Sequence, residues 1–126
     1  MLRVLVVEDH EDSAAILAKL LCLYGCGVEV AMDGPTALQA FQVSQPDVVC
    51  LDIGLPKMDG WQVAKRIRKQ SNGKRPFLIA MTGYGTQADR LRSRKAGIDV
   101  HLVKPVDPAE LEDILKRLTL HRDSVH

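Results

Sequence analysis

Apolar residues recur along this chain in two rhythms. Five short runs are nearly continuous in apolar residues: Val4-Leu5-Val6-Val7, Val28-Glu29-Val30-Ala31, Val48-Val49-Cys50-Leu51, Phe77-Leu78-Ile79-Ala80-Met81 and Val100-His101-Leu102-Val103. Four of them are β-branched or unbroken, the pattern of strands covered on both faces. The segments between them have helical spacing instead. Ala14, Leu17, Ala18, Leu21 and Cys22 share one face of the first, and Ala37, Leu38 and Phe41 one face of the second. Val63, Ala64 and Ile67 mark the third, Leu91 and Ala96 a weaker fourth, and Leu111, Ile114, Leu115 and Leu118 the fifth.

Start and stop signals divide the chain in the same way. Pro35 after Gly34 and Pro108 after Asp107 stand at first helical positions. Asp107 and Glu110 have the spacing of a capping box. Asp59-Gly60 opens the third helix after Pro56, and Gly25, Gly73 and Gly97 close three others. Strands alternating with helices at this length predict parallel βαβ units with right-handed crossovers. The expected fold is α/β, a doubly wound five-stranded parallel sheet with helices on both faces. No linker, repeat or low-complexity tract interrupts it. One domain over residues 1–120 and a short tail at 121–126 are expected.

Composition narrows the function more than the fold. A chain of 126 residues, 46% hydrophobic and 26% charged, fits one folded domain. Lys plus Arg total 17 against 16 acids, a formal charge of +1, which excludes a basic arm or acidic tail as the organising feature. One Trp, two Tyr and two Phe make a poor base-stacking platform. No apolar run approaches the ~18 residues of a membrane span, and the start carries no signal-peptide pattern. Cys22, Cys26 and Cys50 read as buried free thiols suited to a cytoplasmic setting, not as metal ligands. Two basic stretches stand out. Lys65, Arg66, Arg68, Lys69, Lys74 and Arg75 follow the third helix and its exit, and Arg90, Arg92, Arg94 and Lys95 crowd the fourth. Both read first as solvated faces, with the fourth helix the better candidate for docking.

The chemistry gathers after the strands. Ligands of an open parallel sheet bind outside the carboxyl ends of its strands. Glu8 and Asp9 follow the first strand, Asp52 the third, Thr82 the fourth and Lys104-Pro105 the fifth. Carboxylates crowded at one point repel unless a cation lies among them, and oxygen-only donors favour a hard ion such as Mg²⁺, with Mn²⁺ an alternative. Lys104 and Thr82 suit phosphoryl oxygens, and a carboxylate can attack phosphorus to give an acyl phosphate. Asp52 is central and the natural nucleophile.

From Arg3 to Leu118 the sequence resembles the receiver domain of two-component response regulators. The resemblance rests on Val6-Val7-Glu8-Asp9, Asp47-Val48-Val49-Cys50-Leu51-Asp52, Leu55-Pro56-Lys57-Met58-Asp59-Gly60, Ala80-Met81-Thr82-Gly83 and Val103-Lys104-Pro105. It implies a flavodoxin-like sheet of order 2-1-3-4-5, with Asp52 as phosphoacceptor. It implies Mg²⁺ bound by Asp9, Asp52 and the Gly54 backbone carbonyl, with Glu8 acting through water. Thr82 and Lys104 would contact the phosphoryl oxygens, Gly83 would let the backbone approach them, and the bond before Pro105 would be cis. The donor would be a histidine kinase or histidine phosphotransfer domain. The face of the fourth helix, fifth strand and fifth helix would then bind an output partner. Neither turnover of an external substrate nor direct DNA binding is expected, since no helix-turn-helix follows.

The sequence departs from that family at informative places. His101 stands three residues before Lys104, where receivers usually carry a Tyr or Phe switch. Gly54 and Tyr84 occupy the positions whose side chains tune access of hydrolytic water, with opposing tendencies. A haloacid-dehalogenase-type phosphatase is the enzyme alternative, but it needs a second Asp where Gly54 stands. A flavodoxin shares the topology, yet Glu8-Asp9-His10-Glu11-Asp12 would repel its flavin phosphate. The chain reads either as a free-standing receiver or as a module of a hybrid kinase or longer regulator.

Overall fold

A computed structural model describes residues 1–71 and 74–124. The elements alternate as the apolar runs require: β1 (Arg3–Val7), α1 (Glu11–Leu23), β2 (Gly27–Ala31), α2 (Gly34–Ser44), β3 (Val48–Asp52), α3 (Gly60–Gln70), β4 (Phe77–Thr82), α4 (Gln87–Lys95), β5 (Val100–Val103) and α5 (Pro108–Ser124). All ladders are parallel, in the order β2-β1-β3-β4-β5. That order explains burial along the sheet. Every residue of central β3 is buried, whereas edge strand β2 leaves Val30 40% exposed.

Successive side chains of a strand point to opposite faces, so the sheet divides its apolar residues between two cores. Leu5, Val7, Val49, Leu51, Leu78 and Ala80 pack with Phe41 of α2 and Val63 and Ile67 of α3. Val4, Val6, Cys50, Ile79 and Met81 pack with Leu21 of α1 and Leu111 and Leu115 of α5. Each fully buried Leu, Ile or Phe contributes about 1.5–3 kcal/mol relative to leaving it exposed.

Helix ends show where sequence signals held and where neighbours overrode them. Gly25 (φ +84) closes α1 as expected: Gly25 N–H donates to Cys22 O at 3.0 Å and Cys26 N–H to Leu21 O at 3.1 Å. That motif turns Cys26 inward against Leu21 and leaves Cys22 exposed, correcting the expectation of three buried thiols. Gly97 (φ +91) follows α4 in the same conformation, while Gly73 lies outside the described residues. Helix α2 begins at Gly34, one residue before Pro35, because the Asp33 carboxylate caps it by accepting from Thr36 N–H at 2.8 Å. The capping box forms at Asp59 and Gln62. Asp107 instead accepts from Ala109 N–H at 2.9 Å, only two residues on. Helix α5 continues through the expected boundary at residue 120 to Ser124. The remaining tail residues, Val125 and His126, lie outside the described residues.

Candidate functional site

Glu8 and Asp9 leave β1 at the carboxyl edge of the sheet, beside the end of β3 at Asp52. One carboxylate oxygen from each of these three residues lies within 4.8 Å of the others. Their burial differs sharply: Glu8 is 2% exposed and Asp52 8%, while Asp9 faces solvent. Three oxygen donors and no nitrogen or sulfur fit a hard divalent cation. Burial first, and the neighbouring Asp52 second, push Glu8 above its ordinary pKa despite the opposing pull of Lys104.

One cation answers these charges among the described residues. Lys104, just past β5, donates from Nζ to Glu8 Oε1 at 3.0 Å and stands 3.4 Å from Asp52 Oδ2. Burial pulls its ammonium down, but Glu8 and Asp52 together outweigh that and hold its pKa above the usual lysine value. Lys104 is placed by its own backbone, whose N–H donates to Thr82 O at 2.7 Å, and its bond to Pro105 is cis as expected. The strand ends β4 and β5 are thereby joined beside the carboxylates. Glu8 is thus engaged directly by Lys104 in this structure.

The loop after Asp52 is held tightly. Gly54 N–H donates to Asp52 Oδ1 at 3.1 Å, and Gly60 N–H to Ile53 O at 3.0 Å. A Cβ on Gly60 would come within 2.6 Å of Asp52 O, so α3 starts directly against the backbone of the acidic strand end. At Gly54 a Cβ would lie 3.9 Å from Asp52 Oδ1, which leaves that carboxylate uncovered from its own loop. Gly83 is different: a Cβ there meets nothing within 4 Å, so packing does not demand glycine. Thr82, 9% exposed, uses its Oγ1 to accept from Tyr84 N–H at 3.2 Å. The Tyr84 side chain is 76% exposed and stands in solvent.

His101 sits half-buried on β5, with Nδ1 3.0 Å from Ser93 Oγ on α4. Ser93 also accepts from Trp61 Nε1–H on α3 at 2.9 Å, and Arg92 lies 4.1 Å over the Trp61 ring. The sequence reading missed Ser93, expecting Leu91 on the inner face of the fourth helix. Leu91 is 48% exposed, and Ser93 is the buried residue of α4. A serine among arginines gives no periodic signal of burial, since its partners lie 32 and 8 residues away in the chain.

The two basic stretches separate. Arg68 donates to Gly97 O, Pro76 O and Asp99, Arg75 donates to Asp99, and Lys74 pairs with Asp47 at 2.7 Å. These three serve the fold. Lys65, Arg66, Lys69, Arg94 and Lys95 stay on exposed faces. No helix among the described residues is long and apolar enough to cross a membrane.

Comparisons with known proteins agree with this arrangement. The response regulator receiver domain family matches residues 4–116. A probable transcriptional regulator, ycf27 of Guillardia theta, is 42% identical over 110 residues, covering 87% of this chain and 42% of that protein. Hybrid signal transduction histidine kinase L of Dictyostelium discoideum is 36% identical over 91% of this chain and only 7% of its own length. The chain thus spans less than half the length of these curated relatives. Among solved structures, chemotaxis protein CheY4 of Vibrio cholerae superposes with a TM-score of 0.87 at 30% identity, covering 94% of this chain and 98% of that one. A CheY-like receiver domain protein of Methanospirillum hungatei gives 0.87 at 27% identity, covering 98% of each. The matched span contains Glu8, Asp9, Asp52, Thr82 and Lys104 together with all the loops that hold them, and the chain belongs to the response regulator receiver domain family.

Proposed function

We propose that Asp52 is the phosphoacceptor of this receiver, taking its phosphoryl group from a phosphohistidine on a histidine kinase or phosphotransfer domain. The observation that carries this reading is the Asp52 carboxylate. It is nearly buried, fixed by Gly54 N–H on one oxygen and faced by Lys104 on the other. An Asp52 oxygen attacks phosphorus and the P–N bond breaks. Its electron pair returns to the donor imidazole, which takes up a proton from water, and an acyl phosphate forms on Asp52. Asp9, Asp52 and the Gly54 carbonyl would hold Mg²⁺ or Mn²⁺, with Glu8 at one remove. A cation held there would supply charge neutralisation at the phosphoryl oxygens. Lys104 shifts its ammonium from Asp52 towards those oxygens while keeping Glu8. Thr82 turns its hydroxyl from the Tyr84 N–H to donate to the phosphoryl group, and the uncrowded Gly83 backbone clears its approach.

The modified aspartate brings added charge and acceptor oxygens, so the states of β4, α4 and β5 that satisfy them are favoured. His101 is the switch-position residue that follows this change. Output then passes through the α4-β5-α5 face to a cytoplasmic partner. With Gly54 bare and the Tyr84 side chain in solvent, neither lifetime-tuning side chain covers Asp52. The test is labelling with acetyl phosphate and Mg²⁺, read by intact mass. One phosphoryl group per chain is expected, absent in Asp52→Asn and after chelation. Stoichiometric labelling of Asp52→Asn would overturn the assignment.

A further inference from the structure

Behind the site, three side chains from three elements form a single polar chain. Trp61 of α3 donates to Ser93 Oγ of α4 at 2.9 Å, and Ser93 Oγ lies 3.0 Å from His101 Nδ1 of β5. Ser93 is 1% exposed, so this chain runs through the interior. An indole N–H can only donate, so Ser93 Oγ accepts from Trp61 and makes a second hydrogen bond with His101 Nδ1. Nε2 is buried and has no hydrogen-bond partner. His101 is held inward at one nitrogen and left unsatisfied at the other, the balance expected of a side chain with a second position.

The far end of this chain reaches the phosphoacceptor side. The Tyr84 backbone lies close enough to the imidazole to raise its pKa, and Tyr84 N–H is the donor to Thr82 Oγ1. A Thr82 hydroxyl that turns towards Asp52 releases that N–H and lets the Tyr84 backbone shift. His101 then has a new environment at Nε2, which frees its ring to leave Ser93.

We propose that Ser93 and Trp61 are positioning residues that latch His101 inward in the resting state, so that modification of Asp52 is transmitted through His101 and Ser93 to α3. The proposal rests on the phosphoacceptor reading of Asp52. It adds α3 to the responding surface, with Trp61 as its reporter. When His101 leaves its inward position, Ser93 loses its partner at Nδ1 and reorients. The indole N–H then loses or changes its partner.

The single Trp gives a single indole resonance in nitrogen–proton correlation spectra. Beryllofluoride with Mg²⁺ serves as the phosphoryl mimic, and the Gly54 and Gly83 amides report on the site itself. In the wild type, all three resonances are expected to move by more than a linewidth. In Ser93→Ala and, independently, His101→Phe, the glycine amides are expected to move as before while the indole stays in place. An indole that stays put in the wild type while the glycine amides move overturns the latch and leaves the phosphoacceptor intact. An indole that moves equally in either variant also overturns it. If no glycine amide moves, the phosphoacceptor reading fails and the latch falls with it.

Discussion

Cys50 shows how far one side chain's behaviour follows from its place in the sheet. It is fully buried between β1 and β4, and desolvation pushes its thiol up to about 12. Cys26 is raised by burial as well, whereas Cys22 is exposed. Because the thiolate is the nucleophile, a maleimide at neutral pH should label the native protein once, at Cys22, and the unfolded protein three times. Mass spectrometry checks this, and native labelling in Cys22→Ser would refute it. His101 makes a second prediction. Burial first, then the Arg90 charge, hold its imidazole below the ordinary histidine value, with the Tyr84 backbone and Asp89 pulling the other way. The unfolded chain therefore takes up this proton first as pH falls, so the native state loses stability below about pH 6.5. The loss is complete once pH has passed the folded value. Urea midpoints taken across that range should fall more for the wild type than for His101→Phe, and equal falls would rule the account out. At this scale the sequence announced Glu8, Asp9, Asp52, Thr82 and Lys104, because each follows a strand and strand ends converge. Ser93 was hidden, because nothing in its own neighbourhood distinguishes a buried serine from a solvated one.

Elements are tied together by two devices that differ in their distance from the chemistry. Asp99, just before β5, accepts from Leu78 N–H at 2.8 Å, Arg68 Nη2 at 2.9 Å and Arg75 Nη1 at 3.2 Å. Arg68 also reaches Gly97 O and Pro76 O, so one guanidinium joins α3 to the segments that lead into β5 and β4. Asp99→Ala should cost about 1–3 kcal/mol by leaving the Leu78 N–H without its acceptor and Arg68 without its counter-charge. Beryllofluoride binding at Asp52 should survive it. Gly60→Ala should destabilise by a similar amount, about 1–3 kcal/mol, through overpacking against Asp52 O and Ile53 Cα. Because the clash falls on the acidic strand end, this variant should also lose phosphoryl acceptance. Denaturation and mass labelling of the pair separate the two devices, and full labelling of Gly60→Ala would refute the second. Element boundaries were readable where local chemistry decides them, as at Gly25 and Asp59. They shifted where a neighbour competed, as when Asp33 moved the start of α2 ahead of Pro35.

Across the whole molecule, a formal charge of +1 hides a sorted distribution. Exposed cations of α3 and α4 lie along the sides, while Glu8, Asp9 and Asp52 meet at one edge with Lys104 as their counter-charge. Three carboxylates against one ammonium leave the site repulsive in the folded state, a strain the extended unfolded chain does not share. Divalent cation should therefore bind the native state and stabilise it by mass action. At ten times its dissociation constant, Mg²⁺ should add about 1.4 kcal/mol, roughly 5 °C in Tm for a domain of this size. Asp9→Asn should melt higher than the wild type without metal, because a repelling charge is gone, and should gain little when Mg²⁺ is added. Chelation should return the wild type to its metal-free midpoint. Scanning calorimetry with NaCl at matched ionic strength separates binding at the site from general screening, which acts over about 10 Å at 0.1 M salt. If NaCl reproduces the whole rise, or if Asp9→Asn rises as far as the wild type, the acidic edge is not where the cation acts.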